Sequence, residues 1–216
     1  MLLAALARAL QRVRGMARVV VQLEGHGRED VVDGIDVSRT VGWFTSVYPF
    51  ALVLHGDRDL GYQIKAIKED LRAVPNRGLG YGMLRYVSAG AGSGEMRLEA
   101  RPQISFNYLG HFDSAVGTGG DVRIATVGGH GGVNPLASRP CDLDVSAWVL
   151  GAEGVVEFQF TPSRLSASDV ARLRQAFDEE LAAVLDHCTG MRAPELTPAD
   201  LTYSALSLDE LDELFE

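Results

Sequence analysis

Leu3, Leu6, Leu10 and Val13 recur at intervals of three and four, the spacing of one helical face. Residues 2–14 are therefore predicted as an amphipathic helix ending near Gly15. Arg8, Arg12 and Arg14 interrupt the apolar run and no basic region precedes it, so it does not read as a signal segment. Ala17–Leu23 holds three consecutive valines and reads as a buried strand over 18–23. Residues 31–42 form a polar, irregular connection containing Asp33-Gly34. Trp43 to Leu54 is apolar and aromatic with Pro49 inside it, which predicts a loop through Tyr48 and a strand over Phe50–Leu54. Leu60, Ile64, Ile67, Leu71 and Val74 return to helical spacing, with Lys65, Lys68, Glu69 and Arg72 mostly opposite, and Pro75 ends that helix.

The second half changes period. Pro75–Gly82 is a Gly-rich turn leading into a short helix or strand over Met83–Val87, and Gly90–Gly94 is a surface loop. Strand candidates follow at 103–109, 121–127, 143–150 and 154–160, the last two joined as a hairpin through Gly151–Gly154. Ser166 or Ser168 caps a long helix whose face is Val170, Leu173, Phe177, Leu181, Val184 and Leu185. Pro194 and Pro198 mark an extended tail. Ser207-Leu-Asp-Glu210 has the capping-box pattern of a short acidic terminal helix. The strands cluster without a helix between each pair, so the fold class is α/β (α+β) with a mixed rather than purely parallel sheet. There is no internal repeat and no interdomain linker.

Composition narrows the classes. The 216 residues allow one large domain or two small ones, and 46% hydrophobic content is enough to bury a sizeable core. A formal charge of −9 argues against nucleic acid and against an anionic membrane surface as partner. No apolar run approaches transmembrane length. Cys141 and Cys188 match no metal or redox spacing, which points to a reducing cytoplasm and no disulfide.

Candidate chemistry concentrates in Glu24–Asp30, which packs three acids, a His and an Arg between glycines. Such a turn at a strand end can deliver ionisable groups to a cleft, or be a salt-bridged surface turn in which Arg28 pairs with an acid and His26 fills space. Ser38–Pro49 is dense in aromatics and hydroxyls, as packed loops are. Gly78-Leu-Gly-Tyr-Gly82 lacks the Lys-Ser/Thr of a phosphate loop, and nucleotide binding is rejected. Asn107 and Tyr108 fall near a strand end, where composition alone favours a core Tyr with a satisfied hydroxyl. Gly128–Gly132 suggests an oxyanion loop, but no G-x-S-x-G elbow supports a hydrolase. His55, His130 and His187 show no metal spacing.

Four stretches in this order resemble the epimerization domains of nonribosomal peptide synthetases: EGHGRE (24–29), RTVGWFTSVYP (39–49), PNRGLGYG (75–82) and FNYLGHFD (106–113). Thr161–Leu165 and the acidic tail are similar to the end of such a domain. The resemblance implies a chloramphenicol acetyltransferase-like lobe spanning 1–216, the C-terminal half of the domain. It implies a tunnel into which the phosphopantetheine arm of a peptidyl carrier protein brings an aminoacyl or peptidyl thioester for inversion at Cα, with no directly bound cofactor or metal. Glu24 would be one acid/base group. Asn107 and Tyr108 would hydrogen-bond the enolate or the arm. Trp43 to Tyr48 would line the tunnel floor, with His26, Arg28, Trp43, Thr45 and Tyr81 as supporting residues. In a partly dry tunnel, desolvation would raise the Glu24 pKa, and Arg28 would oppose this if close.

The sequence departs from that pattern in two places. His111 stands where the family usually has Gln, and the His-His-x-x-x-Asp-Gly motif of the family's first lobe is absent. The chain is therefore expected to be a half-domain (an excised piece, a split protein or a truncated gene) that is inactive alone and prone to self-association through apolar surface. Its expected partners are the missing lobe, a carrier protein and neighbouring synthetase modules. The competing readings are an amide-forming condensation domain and a non-catalytic remnant or docking lobe for carrier proteins.

Overall fold

Small side chains decide where the first helix sits. Ala4, Ala5, Ala7 and Ala9 are buried alongside Leu6 and Leu10 in α1 (Leu2–Arg14), so its backbone approaches its neighbours closely. Gly15, at φ 69°, takes the left-handed conformation that ends the helix. In the computed structural model, residues 1–31, 33–56, 58–87, 98, 100–112, 138–191, 193–201 and 206–215 are described. The expected strand 121–127 and the Gly-rich loops at 90–94 and 128–132, with His130, lie outside them.

Among the described residues, five strands form one sheet in the order β2-β1-β3-β4-β5: β1 (Arg18–Gly25), β2 (Ser46–Val53), β3 (Ile104–His111), β4 (Leu143–Leu150) and β5 (Glu153–Phe160). β1 pairs antiparallel with β2 and parallel with β3; β3 pairs parallel with β4; β4 and β5 form an antiparallel hairpin. The mixed sheet is as expected, and so is the hairpin, whose turn is Gly151-Ala152 with Gly151 at φ 63°.

Two expectations change. β1 is not buried on both sides: Val21 and Leu23 are buried, whereas Val20 and Glu24 are exposed. It also runs through Gly25, so Glu24 belongs to the strand and not to the turn after it. β2 begins at Ser46 rather than Phe50 and contains Pro49. It is an edge strand, where the missing N–H of proline costs no ladder bond on the open side. Met83–Val87 is the expected short helix, of the π type, and follows the single helical turn α3 (Leu79–Gly82).

One sheet face carries the core. Val21, Leu23, Phe50, Leu52, Phe106, Leu143 and Val145 pack with α1 and with α4 (Ala167–Gly190), whose Phe177 and Val184 are fully buried. Ser166 is the cap of α4, its hydroxyl accepting the Asp169 N–H. Arg8–Glu180 (2.6 Å) and Arg12–Glu179 (2.6 Å) tie α1 to α4. α2 (Leu60–Arg72) opens on Asp59, which accepts from the Tyr62 N–H, and its basic face meets the tail. Lys65 contacts Glu195 and Asp212, and Lys68 and Arg72 both reach Asp200. The terminal helix α5 (Leu208–Phe215) starts with the expected capping box, Ser207 with Glu210.

Candidate functional site

The other face of the sheet is polar. Strand alternation places Gln22 and Glu24 of β1 there, and the register adds Ser105 and Asn107 of β3, Asp144 and Ser146 of β4, and Glu157 and Gln159 of β5. Two residues far apart in sequence meet in this layer: the Asn107 side-chain amide donates to the Glu24 carboxylate at 2.7 Å. Although Glu24 as a residue is exposed, its carboxyl lies against the sheet face, and this partial desolvation, with the nearby negative charge of Asp144, raises its pKa above the ordinary glutamate value. Burial raises Asp144 as well, opposed by Arg139 at 3.0 Å and by a hydrogen bond from Ser105.

The turn after Glu24 turns its other ionisable groups away. His26 Nε2 lies 3.1 Å from Glu29, and its Nδ1 accepts the Arg28 N–H. The Glu29 carboxylate is mostly buried and also meets Arg77 at 3.5 Å. Arg28 is not placed to stabilise Glu24. It donates to the carbonyls of Val37 (2.5 Å) and Gly42 (3.4 Å) and stacks 4.2 Å over Phe44, so it pins the 37–44 segment to the turn. The readings in which Arg28 pairs with an acid or opposes the Glu24 shift are thereby corrected: backbone carbonyls and an aromatic face occupy its guanidinium.

The segments with epimerization-like sequence lock together through glycines. A Cβ on Gly27, at φ 66°, would overlap the Phe44 carbonyl, and one on Gly78, at φ 82°, would overlap the Tyr48 ring. Between these contacts the backbone at Asn76 and Arg77 also takes positive φ, 47° and 48°.

The other expected residues are more dispersed. Tyr108 follows Asn107 on the alternate side of β3 and is 45% exposed, so it is not a core tyrosine. Its strand then bulges before His111. Trp43 is 91% exposed and Thr45 is exposed, both leading into β2. Tyr81, in α3, packs against the core and accepts a hydrogen bond from Arg85 at 3.1 Å. Ser105, Asp144 and Arg139 were not foreseen. The signal for the first two is the polar alternation Ser105/Asn107 and Asp144/Ser146 inside the strand candidates.

A cavity of about 630 Å³ between α1, α4 and the starts of β1 and β3 is mainly apolar and contains none of Glu24, Asn107 or Asp144. Among the described residues no His, Cys, Asp and Glu group is arranged to hold a metal ion, and no helix is long and apolar enough to cross a membrane.

Residues 1–206 match the condensation-domain family. The chain belongs to that family. This condensation-family chain is 39% identical over 215 residues to surfactin synthase subunit 1 of Bacillus subtilis (strain 168) and 34% identical over 223 residues to tyrocidine synthase 1 of Brevibacillus parabrevis. It covers all of its own length in both alignments but only 6% and 20% of those proteins. Among solved structures, it is similar to the epimerization domain from the third module of tyrocidine synthetase B, with a TM-score of 0.78 and 36% identity. That match covers 88% of this chain and 42% of the solved one. It also shares its fold with a condensation domain that releases chains from the enacyloxin polyketide synthase, with a TM-score of 0.57 and 19% identity over 91% of this chain and 37% of that one. The five-stranded mixed sheet flanked by helices is thus the chloramphenicol acetyltransferase-like architecture, and the family is that of nonribosomal peptide synthetases.

Proposed function

We propose that this chain is the C-terminal lobe of an epimerization domain that inverts Cα of an aminoacyl or peptidyl thioester carried on a phosphopantetheine arm. The observation that carries this reading is the Asn107–Glu24 pair on the polar sheet face, with the proton affinity of Glu24 raised. The greater likeness to an epimerization domain than to a condensation domain supports it.

Inversion requires removal of the Cα proton from one face, leaving an enolate conjugated with the thioester carbonyl, and return of a proton to the opposite face. Two opposed acid/base groups suit this. Glu24 supplies one. Asn107 holds the Glu24 carboxyl with one amide N–H and has a second to offer the enolate oxygen. The other acid/base group comes from outside these 216 residues, from a lobe carrying His-His-x-x-x-Asp-Gly. Tyr108 and the Trp43–Thr45 segment form the approach for the arm, and His26, Arg28 and Tyr81 hold the surrounding turns. No cofactor bound to this chain enters the scheme. The carrier protein is the partner that delivers the substrate, in the cytoplasm.

Complementation tests it. With a first lobe supplied, solvent deuterium should enter Cα of a carrier-bound aminoacyl thioester, and Glu24→Gln should slow this by about 100-fold or more. The chain alone should give no exchange. Near-normal turnover by Glu24→Gln, or exchange by the chain alone, would contradict the proposal. Carrier binding without exchange in the complemented protein would favour a docking lobe, and amide product a condensation domain.

A further inference from the structure

The apolar cavity between the helices and the sheet has no part in the scheme above. It lies where β1 and β3 begin, whereas Glu24 lies near the other end of β1, roughly 20 Å along the strand from Arg18. Its walls come from four elements: Leu10 and Val13 of α1, Val19 of β1, Ile104 of β3, and Val170 and Leu173 of α4. At about 630 Å³ it has the size of a small-molecule site. Val20 also lines it, although strand alternation sends Val19 and Val20 to opposite faces. The cavity therefore passes round the strand starts, from the helical layer towards the open face of the sheet.

Charge at that end is one-sided. The two acids that border the cavity are already matched: Asp169 by Arg172 and, at 3.6 Å, by Arg14, and Asp142 by Arg164 at 3.6 Å. Arg18 and Arg101 border it too, both are exposed, and neither has an acid partner among the described residues. Counting back from the Val21–Ile104 pairing, they stand level at the entry to neighbouring strands, which lie about 5 Å apart. Two cations side by side repel, and a chain with 29 acidic residues brings none of its described acids between them. An anion placed there would relieve that repulsion.

We propose that this cavity binds a medium-chain fatty acid, with the hydrocarbon between α1, α4 and the sheet and the carboxylate held by Arg18 and Arg101. The lining selects this class. A small polar anion would gain nothing from the Leu, Ile and Val walls, and a neutral hydrocarbon would gain nothing from the arginines. The guanidinium presents its N–H donors as a fork that matches a carboxylate.

Isothermal titration calorimetry of the full chain with dodecanoate, kept below its micellar concentration, tests this. One saturable site per chain is expected. Dodecyltrimethylammonium, with the same tail and the opposite charge, should bind weaker by about tenfold or more. Arg18→Gln and Arg101→Gln should each weaken dodecanoate by about tenfold, the scale of a hydrogen bond to a charged group. Val13→Trp, which fills the cavity, should abolish binding. In methyl NMR spectra, Val13, Ile104 and Val170 should shift with dodecanoate while the exposed Met83, Leu84 and Val87 stay in place. Absence of a saturable site, equal affinity for the cationic amphiphile, indifference to both arginine changes, or shifts confined to 83–87 would each overturn the proposal. Should Val13→Trp fail to fold, the arginine variants decide, because both side chains are exposed. The calorimetry reads this site whatever reaction Glu24 serves, so its failure is distinct from that of the epimerase reading.

Discussion

Gly27 shows how closely the candidate site is built. Its backbone is left-handed, and the Phe44 carbonyl fills the space where a side chain would stand. Gly27→Ala would meet both an unfavourable φ and a backbone atom that cannot swing aside. We expect a loss of roughly 2–4 kcal/mol, measured by urea denaturation, with the 37–44 segment displaced. The charge and glycine pattern of 24–30 made this turn visible in sequence, but not which way each group faces. Glu24 and Glu29 look equivalent there. Strand alternation sends Glu24 to the polar face, while Glu29 turns to His26 and Arg77. Arg28 misled for the same reason: nothing local says that two carbonyls nine and fourteen residues on take its guanidinium.

Among the elements, α1 and α4 depend on each other. Phe177 is fully buried and meets Phe158 edge to face at 5.5 Å, so α4 fixes both the helical layer and the β4–β5 hairpin. Phe177→Ala should cost about 3–5 kcal/mol in chemical denaturation and should broaden amide signals from β5. These helices were legible because their apolar period is local. β2 was legible only in part: proline reads as a break unless the strand is known to lie at an edge, and edge position depends on partners distant in sequence. The pairing of β1 with β3 was hidden for the same reason, since eighty residues separate motifs that end up side by side. The strand alternation that sets Asp144 on the polar face was present in the sequence, but it gains meaning only once the register is set.

Over the whole molecule, opposite charges organise the C-terminal segment. The charged face of α2 is covered by acids from the tail. Burial alone would lower Lys65, but hydrogen bonds to Asp212 and Glu195 more than reverse this. Asp200, bonded to Lys68, Arg72 and Thr197, lies well below the usual carboxylate range. These pairs are mostly exposed and therefore screened by salt. Raising NaCl from about 0.05 M to 1 M should speed hydrogen exchange across 195–201 and 206–212 while leaving the sheet unchanged. The contact that falls last should be Lys65, whose side chain is only 13% exposed. Large apolar side chains at Val41, Trp43, Met83, Leu84, Tyr86 and Val87 are exposed.

The Asn107–Glu24 bond spans 83 positions of chain and lies between parallel strands. Pairing of that kind must offset the entropy of closing a long loop, and so belongs to the slow part of folding. A protein caught before β3 docks on β1 would already hold its α1 helix and its β4–β5 hairpin, yet would have no site. A single-residue slip in that docking would bury Asn107 and set Phe106 beside Glu24. The candidate site of this chain is therefore encoded less in its turns than in one register choice between two strands.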